Sequence, residues 1–484
     1  MDQQFPLDNV ALPQPAAAGL LRNFERVASV VLAGIAIYLL ATESLEWVPY
    51  VAGGLAGVLV LTIFWPYGAI LGLMVAAAMP KWEMESSGRH IKPEHLVVAA
   101  FCGILLLRIA ARAHRWKSLD RLDFLLLGFL ALNFFSSAFT SPDRGSTLRW
   151  ALLQSLAVAP AFLIGQLVRT QERFQRTMSF WLWVGVLEAL FGLICFLSYL
   201  LWDTKFGMGF FANLNFIPAV RGSQFEPNIF GSYCTCFAAM FLFYFVARQT
   251  HKVWYLLGLS ICGIALLLSL ARQAWATFLI VAPLVLVYTL RRRKVPWRTF
   301  ISVTATLLLA LLVGASLMKD LRERLETLAF SKVMEDPTVI RRAKVVIQSI
   351  DDIKQHPIVG SGSNSFQLTG AGTEEEYEGG EAWLGLFFFR ILHDTGIIGV
   401  ILIGWFFCSL GRRAWRVLSR HKPATIAIGA LAAATLVMLI AYELTDASTL
   451  AFTWIHLGLL MAGIRIAEAE ISAEQTQSPA LRYA

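Results

Sequence analysis

Two arginines stand where a membrane protein could meet an anionic ligand. Arg221 opens the segment RGSQFEPN directly before an apolar run, and Arg272 lies between two closely spaced apolar runs. An arginine at a bilayer boundary needs an acid, a cluster of carbonyls or an anionic ligand, and its planar guanidinium suits phosphate oxygens. Two interpretations are open: phosphate binding, or a snorkelling or structurally paired arginine, for example with Glu226.

A second polar group lies inside a later apolar run. The group consists of Arg390, His393 and Asp394. His393 and Asp394 lie three and four residues after Arg390, so all three side chains share one side of a helix, and Arg390 can pair with Asp394. Polar residues at this depth face a bundle interior or a water-filled cavity. They form either a buried ion pair that fixes helix packing or a site wall in which His393 accepts a proton. Glu188 and Glu443 are candidate buried partners for the arginines.

The segment Met318–Trp383 is the one long polar interruption of the chain. A helix start is predicted at Asp336-Pro337-Thr338, and apolar residues then recur at helical spacing, which predicts an amphipathic helix on the membrane domain or at the interface. The helix ends at His356-Pro357, and Gly360 and Gly362 then permit a tight turn. Packing of this turn against the membrane domain is favoured over phosphate binding, because no strand precedes the glycines.

Neither the acidic run nor the cysteines favour a metal site. The run of glutamates that ends at Glu381 has the composition of a solvated loop, although clustered carboxylates do bind hard cations elsewhere. The six cysteines fall in apolar runs, where a thiol behaves as a small apolar side chain. Cys234 and Cys236 are two apart and point to different sides of a helix.

The elements that position these residues are membrane spans. Of 484 residues, 57% are hydrophobic and 15% charged, and the mean hydropathy is +0.61, as in polytopic membrane proteins. A span needs about 20 mostly apolar residues, which predicts an all-α bundle of about 12 to 14 spans. The apolar runs are Val27–Ala41, Val48–Phe64, Tyr67–Ala78, Leu96–Ala111, Phe124–Phe139, Trp150–Leu167, Trp181–Leu201, Ile229–Val246, Trp254–Leu270, Ala274–Leu290, Phe300–Leu317, Leu384–Leu410, Ala424–Tyr442 and Leu450–Ile464.

The basic residues predict the orientation of these spans. With the N-terminus in the cytoplasm, inner loops receive clusters such as residues 291–294 and 412–413, whereas the short outer loops are poor in Lys and Arg. This orientation places Arg221, Arg272 and Met318–Trp383 outside the cytoplasm. The net charge of +8 is therefore an orientation signal, and nucleic acid is not expected as a partner.

The same pattern predicts the domain organisation. We expect a flexible cytoplasmic tail over residues 1–21, a first membrane part over 22–317, a large extracytoplasmic, partly helical loop over 318–383, the last spans over 384–465 and a disordered cytoplasmic tail over 466–484. The N-terminal run is polar and lacks the basic start and cleavage site of a signal peptide.

Four motifs, in order, resemble the O-antigen ligase and polymerase superfamily of bacterial membrane glycosyltransferases. The first is the segment from Arg221 to Asn228, and the second is SLARQA around Arg272, with Gln273 where the family has Gly. The third is the amphipathic helix followed by HPIVGSGSNSF, residues 356–366, and the fourth is DTGIIG from Asp394, with Asp where the family has Glu. Each motif is loose, and their order and spacing carry the resemblance, which runs from about residue 181 to about residue 404.

The resemblance implies transfer of a glycan from an undecaprenyl-diphosphate carrier to an acceptor hydroxyl, without a metal or other cofactor, outside the bacterial inner membrane. Arg221 and Arg272 match the family's arginines and would bind the diphosphate leaving group. Arg390, Asp394, Gly360 and Gly362 would support the site. The implied partners are the lipid-linked glycan donor, a glycan or lipid-linked acceptor, membrane lipid and other polysaccharide-assembly proteins.

The general base departs from the family pattern. Family ligases place a His-Asn pair shortly before the fourth motif, whereas this chain has GGEAWL around Glu381. Glu381 or His393 could take that role. The missing pair favours a repeat-unit or exopolysaccharide polymerase over a lipid A core ligase. An O-antigen ligase or a protein oligosaccharyltransferase stays open within the family, and a transporter is the competitor from another class.

Overall fold

The computed structural model describes residues 66–78, 84–86, 89–91, 93–110, 118–202, 211–214, 217–224, 226–248, 250–293, 337–368, 384–420, 425–443 and 445–481. The predicted spans Val27–Ala41, Val48–Phe64 and Phe300–Leu317 lie outside these residues, as does Glu381. The large polar loop is described over residues 337–368.

The described chain is an all-α bundle with two short hairpins. Its twelve described α-helices are α1 Pro66–Ala78, α2 Pro93–Ala110, α3 Arg121–Phe139, α4 Arg144–Leu167, α5 Gln171–Trp202, α6 Pro227–Ala247, α7 Lys252–Leu268, α8 Arg272–Arg293, α9 Pro337–Gln355, α10 Phe387–Leu418, α11 Thr425–Ala441 and α12 Ala451–Leu481. The antiparallel hairpins pair β1 Met84–Ser86 with β2 Arg89–Ile91, and β3 Phe211–Leu214 with β4 Ile217–Val220.

Six of the described helices are long and apolar enough to cross a membrane: α3, α4, α5, α6, the first 18 residues of α8 and α10. Shorter apolar helices are α1, α7 and α11. The structure therefore confirms the prediction of an all-α, multi-pass membrane protein. The helices extend past the apolar runs because polar first turns, such as residues 171–180 of α5, continue the helix outside the apolar stretch.

Helix α6 is the centre of the bundle. It packs against α7, α8 and α11, and 89% of its apolar window is buried within the protein, against 44% for α5 and α10. Small residues let the neighbours approach closely: a Cβ added at Gly231 would lie 2.7 Å from the Cβ of Ala271. The first turn of α6 is thereby fixed against the turn before α8.

One expectation about the C-terminus is wrong. Residues 466–481 continue helix α12 rather than forming a disordered tail. Arg465 and Glu468 anchor this segment, because Arg465 pairs with Asp120 at 2.9 Å and with Asp123 at 2.7 Å, and Glu468 pairs with Arg413 at 2.6 Å. The Ala- and Glu-containing sequence also has high helix propensity.

Candidate functional site

Helix α10 is broken at Gly396, inside the fourth sequence motif. Gly396 has φ 64° and ψ −168°, which is not a helical conformation. A break orphans the last carbonyls of the first half and the first N–H groups of the second half, and these groups need partners in an apolar environment. The chain must therefore supply donors and acceptors at this point.

The turn after α9 supplies most of those partners. The Ser361 N–H donates to the His393 carbonyl at 2.9 Å, and the Gly362 N–H donates to the Asp394 carbonyl at 3.0 Å. In the other direction, the Ile397 N–H donates to the Pro357 carbonyl at 3.0 Å. The third and fourth sequence motifs are thus two sides of one interface, and the expected packing of the turn against the membrane domain is confirmed.

Glycine is required on both sides of this interface. Gly360 has φ 77°, and a Cβ there would lie 2.3 Å from the carbonyl carbon of Asp394. A Cβ at Gly396 would lie 2.3 Å from the Ile358 carbonyl oxygen. Gly362 has φ 96°, in a region that side chains with a Cβ rarely adopt. The positive φ of Gly360 and Gly362 thus allows the turn to approach α10 and α3 closely; their support of the site stays a prediction.

Helix α3 completes the interface from a third side. The Ser136 hydroxyl donates to the Asp394 carbonyl at 2.7 Å, and the Thr140 hydroxyl donates to the Gly360 carbonyl at 2.6 Å. The Ser137 hydroxyl accepts the Ser363 N–H at 3.0 Å. Sequence reasoning missed these hydroxyls, because serine and threonine in an apolar helix are common and no spacing marks them.

His393 is buried between two carboxylates. Its Nδ1 lies 2.9 Å from Asp394 Oδ1, and its Nε2 lies 3.4 Å from Asp352 Oδ2 on α9. The side chain has no exposed area. Asp394 also accepts the Asn364 N–H at 3.0 Å. Both ring nitrogens are engaged, and these contacts join α9 to α10; the role of general base stays a prediction for His393.

Helix α9 shows its apolar stripe to the outside. Val345 and Ser349 are buried against the bundle, whereas Ile340 and Ile347 are 54% and 66% exposed. The helix was expected to lie on the membrane domain or at the interface. Its buried residues pack on the membrane domain at α10, and its exposed isoleucines agree with a helix whose other side lies at a lipid interface.

Arg390 pairs with a different acid from the one expected. Its Nε lies 2.7 Å from Asp446 Oδ2 in the loop between α11 and α12, and both side chains are buried. Arg390 also donates to the Ser448 hydroxyl. The expected partner, Asp394, is occupied by His393 and Asn364. The acid was missed because Asp446 is 56 positions away in sequence; its place between two apolar runs was the available signal.

Arg221 lies on a rigid loop before α6. The Ser223 N–H donates to Glu188 Oε1 at 2.8 Å, and the Ser223 hydroxyl donates to the Ala78 carbonyl at 2.7 Å. Glu188 thus holds the backbone of this loop. Burial lowers the pKa of the Arg221 guanidinium, as expected for a partly desolvated cation. An anion that reaches it would be bound in a partly dry setting.

Arg272 is the first residue of α8. Leu270, two residues earlier, has φ 54°, an uncommon conformation for a bulky side chain. The Trp275 indole donates to the Leu266 carbonyl at 2.9 Å and closes the turn. Because the turn packs on Gly231, Arg272 stands beside the start of α6, which follows Arg221. Two positive helix ends and two arginines are thereby brought to one end of the bundle.

Comparison with known proteins identifies a family that part of the chain resembles. The family model described as O-antigen ligase matches residues 256–404. The match includes Arg272, α9, the glycine turn and the break at Gly396, whereas Arg221 precedes it. The resemblance to the O-antigen ligase and polymerase superfamily is thereby confirmed. A search of curated proteins finds no similar sequence. The family match supports a membrane enzyme that transfers glycans, with lipid-linked glycans as substrates.

Proposed function

We propose that this protein polymerises undecaprenyl-diphosphate-linked repeat units of a surface polysaccharide or exopolysaccharide at the outer side of the bacterial inner membrane. The observation that carries the proposal is the placement of Arg221 and Arg272 at the adjoining starts of α6 and α8, with Arg272 inside the region that matches the O-antigen ligase family. The termini would lie in the cytoplasm, as the basic loops predict.

The chemistry required of this site is stabilisation of a leaving group. As the anomeric C–O bond of the donor breaks, negative charge grows on the diphosphate, and fixed cations in a partly dry site lower that barrier. Arg221 is partly buried and the loops of both arginines are held by hydrogen bonds, so little reorganisation is needed when charge develops. Arg390, in contrast, is committed to Asp446 and would act as support.

The test is a transfer assay with purified protein in proteoliposomes that contain undecaprenyl-diphosphate-linked repeat units. We expect a ladder of longer lipid-linked products, and we expect Arg221→Ala and Arg272→Ala each to lower the rate by about 10²- to 10³-fold. The control is Arg176→Ala, since Arg176 is 71% exposed and pairs with Glu172 on the surface of α5. Ladders of normal length in both variants would contradict the diphosphate role.

The ligase and oligosaccharyltransferase alternatives predict a different product. A strain without the protein should accumulate single lipid-linked repeats if it is a polymerase, and unattached long polymer if it is a ligase. The transporter alternative would be favoured by broken helices in two inverted halves; α10 is broken at Gly396, and the groups at this break bond to the turn after α9 and to α3.

A further inference from the structure

Glu443 lies in a loop that is held in place on several sides. This loop joins α11 to α12 at the same end of the bundle as the start of α10. The Phe387 N–H donates to the Tyr442 carbonyl at 3.0 Å, and the Asp446 N–H donates to the Gly385 carbonyl at 2.9 Å. Asp446 also forms the buried pair with Arg390. The backbone that carries Glu443 is therefore preorganised.

The loop also touches the turn that presents Arg272. The Gln273 side-chain amide donates to the Thr445 hydroxyl at 3.3 Å. Gln273 follows Arg272 directly, and Thr445 is two residues after Glu443. The contact brings the loop of Glu443 to the first turn of α8, where the diphosphate is proposed to bind. Glu381 lies outside the described residues, and His393 is bonded to Asp394 and Asp352 where α9 meets α10.

The Glu443 carboxylate retains an oxygen for a new hydrogen bond. It accepts the Phe388 N–H at the start of α10, while Oε1 is buried and has no hydrogen-bond partner among the described residues. Burial first, and the charge of Asp446 second, raise its pKa to about 7. Among the described charged side chains of the adjoining elements, Asp446 is the one whose charge acts on Glu443; Arg390 is paired with Asp446, His393 with Asp394, and Arg272 begins α8. A carboxylate with such a pKa is a stronger base than an ordinary glutamate.

We infer that Glu443 is the proton acceptor of the proposed transfer, a role that rests on the proposed function. The acceptor hydroxyl gives its proton to the Glu443 carboxylate as its oxygen bonds to the anomeric carbon of the donor. The bond from that carbon to the diphosphate breaks, and its electron pair stays on the diphosphate oxygen beside Arg221 and Arg272. Asp446 is excluded from this role because Oδ2 faces Arg390 and Oδ1 accepts the Ser448 N–H at 2.7 Å.

The experiment compares Glu443→Gln and Glu443→Asp with the wild type. In the proteoliposome assay we expect Glu443→Gln to lose about 10²- to 10⁴-fold in rate, with donor binding retained. The wild-type rate should rise with pH through about 7, since the base must be ionised, and Glu443→Asp should restore part of the rate with a shifted profile. Glu172→Gln, an exposed glutamate on α5, is the isosteric control.

Two results separate this inference from the function on which it rests. A Glu443→Gln variant that is folded by its melting curve, and that transfers glycan at the wild-type rate and pH profile, would overturn the base while leaving the glycosyltransferase standing. A wild-type protein that binds the lipid-linked donor without transferring it would overturn both. Loss of donor binding in Glu443→Gln, with Glu443→Asp equally inactive, would show a structural role instead.

Discussion

The two ends of helix α10 hold their charged residues in opposite ways. At the end near Arg413, carboxylates and guanidinium groups are matched: Arg413 binds Asp120 and Glu468, each at 2.6 Å, and Arg465 binds Asp120 through two nitrogens at 2.9 and 3.0 Å. The helices there are regular, and Asp120 also caps α3. The charged pairs at this end therefore hold the helices together.

The end near Gly396 carries strain and unmatched polar atoms. The helix is broken, Gly360 and Gly362 adopt positive φ, and Glu443 Oε1 has no partner in the described part of the chain. Such features lower stability and persist where the surrounding structure enforces them. The two ends thus differ in how their polar groups are matched, and the proposed chemistry would use groups near the Gly396 end.

The largest difference in stability is expected between two positions of α10 at which glycine is replaced by alanine. Gly396→Ala should destabilise the protein by about 3 kcal/mol or more, because a strained φ adds to a backbone clash at 2.3 Å from Ile358. Gly404→Ala is the control in the same helix, since a Cβ there meets nothing within 4 Å. Melting midpoints in detergent measure both, and equal midpoints would contradict the interface between turn and helix.

The next effect compares one ion pair from each end. Asp446→Asn should cost about 3 kcal/mol, because it leaves the buried Arg390 charge without its carboxylate. Glu468→Gln should cost below about 1 kcal/mol, since the side chain is 38% exposed and Arg413 keeps Asp120. Chemical denaturation measures the free energy of unfolding of both variants. A larger loss of this free energy in Glu468→Gln than in Asp446→Asn would reverse our interpretation of the two ends.

A smaller effect is expected where α9 meets α10. His393→Ala should cost about 2 to 3 kcal/mol, because it removes both hydrogen bonds of the ring and leaves Asp352 and Asp394 facing each other. Limited proteolysis after residue 336 should then be faster than in the wild type. Lys354→Ala, which removes an exposed pair with Asp351, is the control and should leave the proteolysis rate unchanged.

The smallest effect is a difference in pH dependence between the ends. Burial raises the pKa of Glu443 to about 7, so the folded protein tolerates the protonated carboxyl better than the ionised one. The free energy of unfolding therefore falls as pH rises from about 4 through 7 and Glu443 ionises. Glu443→Gln should therefore melt higher than the wild type at pH 8 and equally at pH 4. At Asp120 the pKa shifts the other way. Burial alone would raise the pKa of this carboxyl, but the hydrogen bonds and charges of Arg465 and Arg413 outweigh burial and hold the pKa below its ordinary value.

The contribution of Asp120 consequently follows the opposite direction. It is present above about pH 4 and is lost as pH falls further. Asp120→Asn should melt lower than the wild type at pH 7, and the difference should shrink on acidification. Parallel melting curves at pH 4, 7 and 8 measure both variants; matching pH profiles for Glu443→Gln and Asp120→Asn would remove the electrostatic distinction between the ends.

The sequence predicted what depends on local patterns. Apolar runs placed α3 to α8, and helical spacing with Pro337 placed α9, because these signals lie within one element. Partners across the bundle were not predictable: Arg390 was assigned to Asp394, one turn away, although it pairs with Asp446. The helix break was hidden as well, since DTGIIG reads as an uninterrupted span until the turn at Gly360 is seen against it.

Helix α3 is attached at both of its ends, and this sets a fixed distance within the protein. Its 19 residues span about 28 Å, and they separate Asp120 beside Arg413 from Thr140 beside Gly360. One added residue in mid-helix would rotate one end by about 100° and shift it by about 1.5 Å, so only one attachment could survive. The number of residues in α3 therefore sets the distance between the Arg413 end and the Gly396 end.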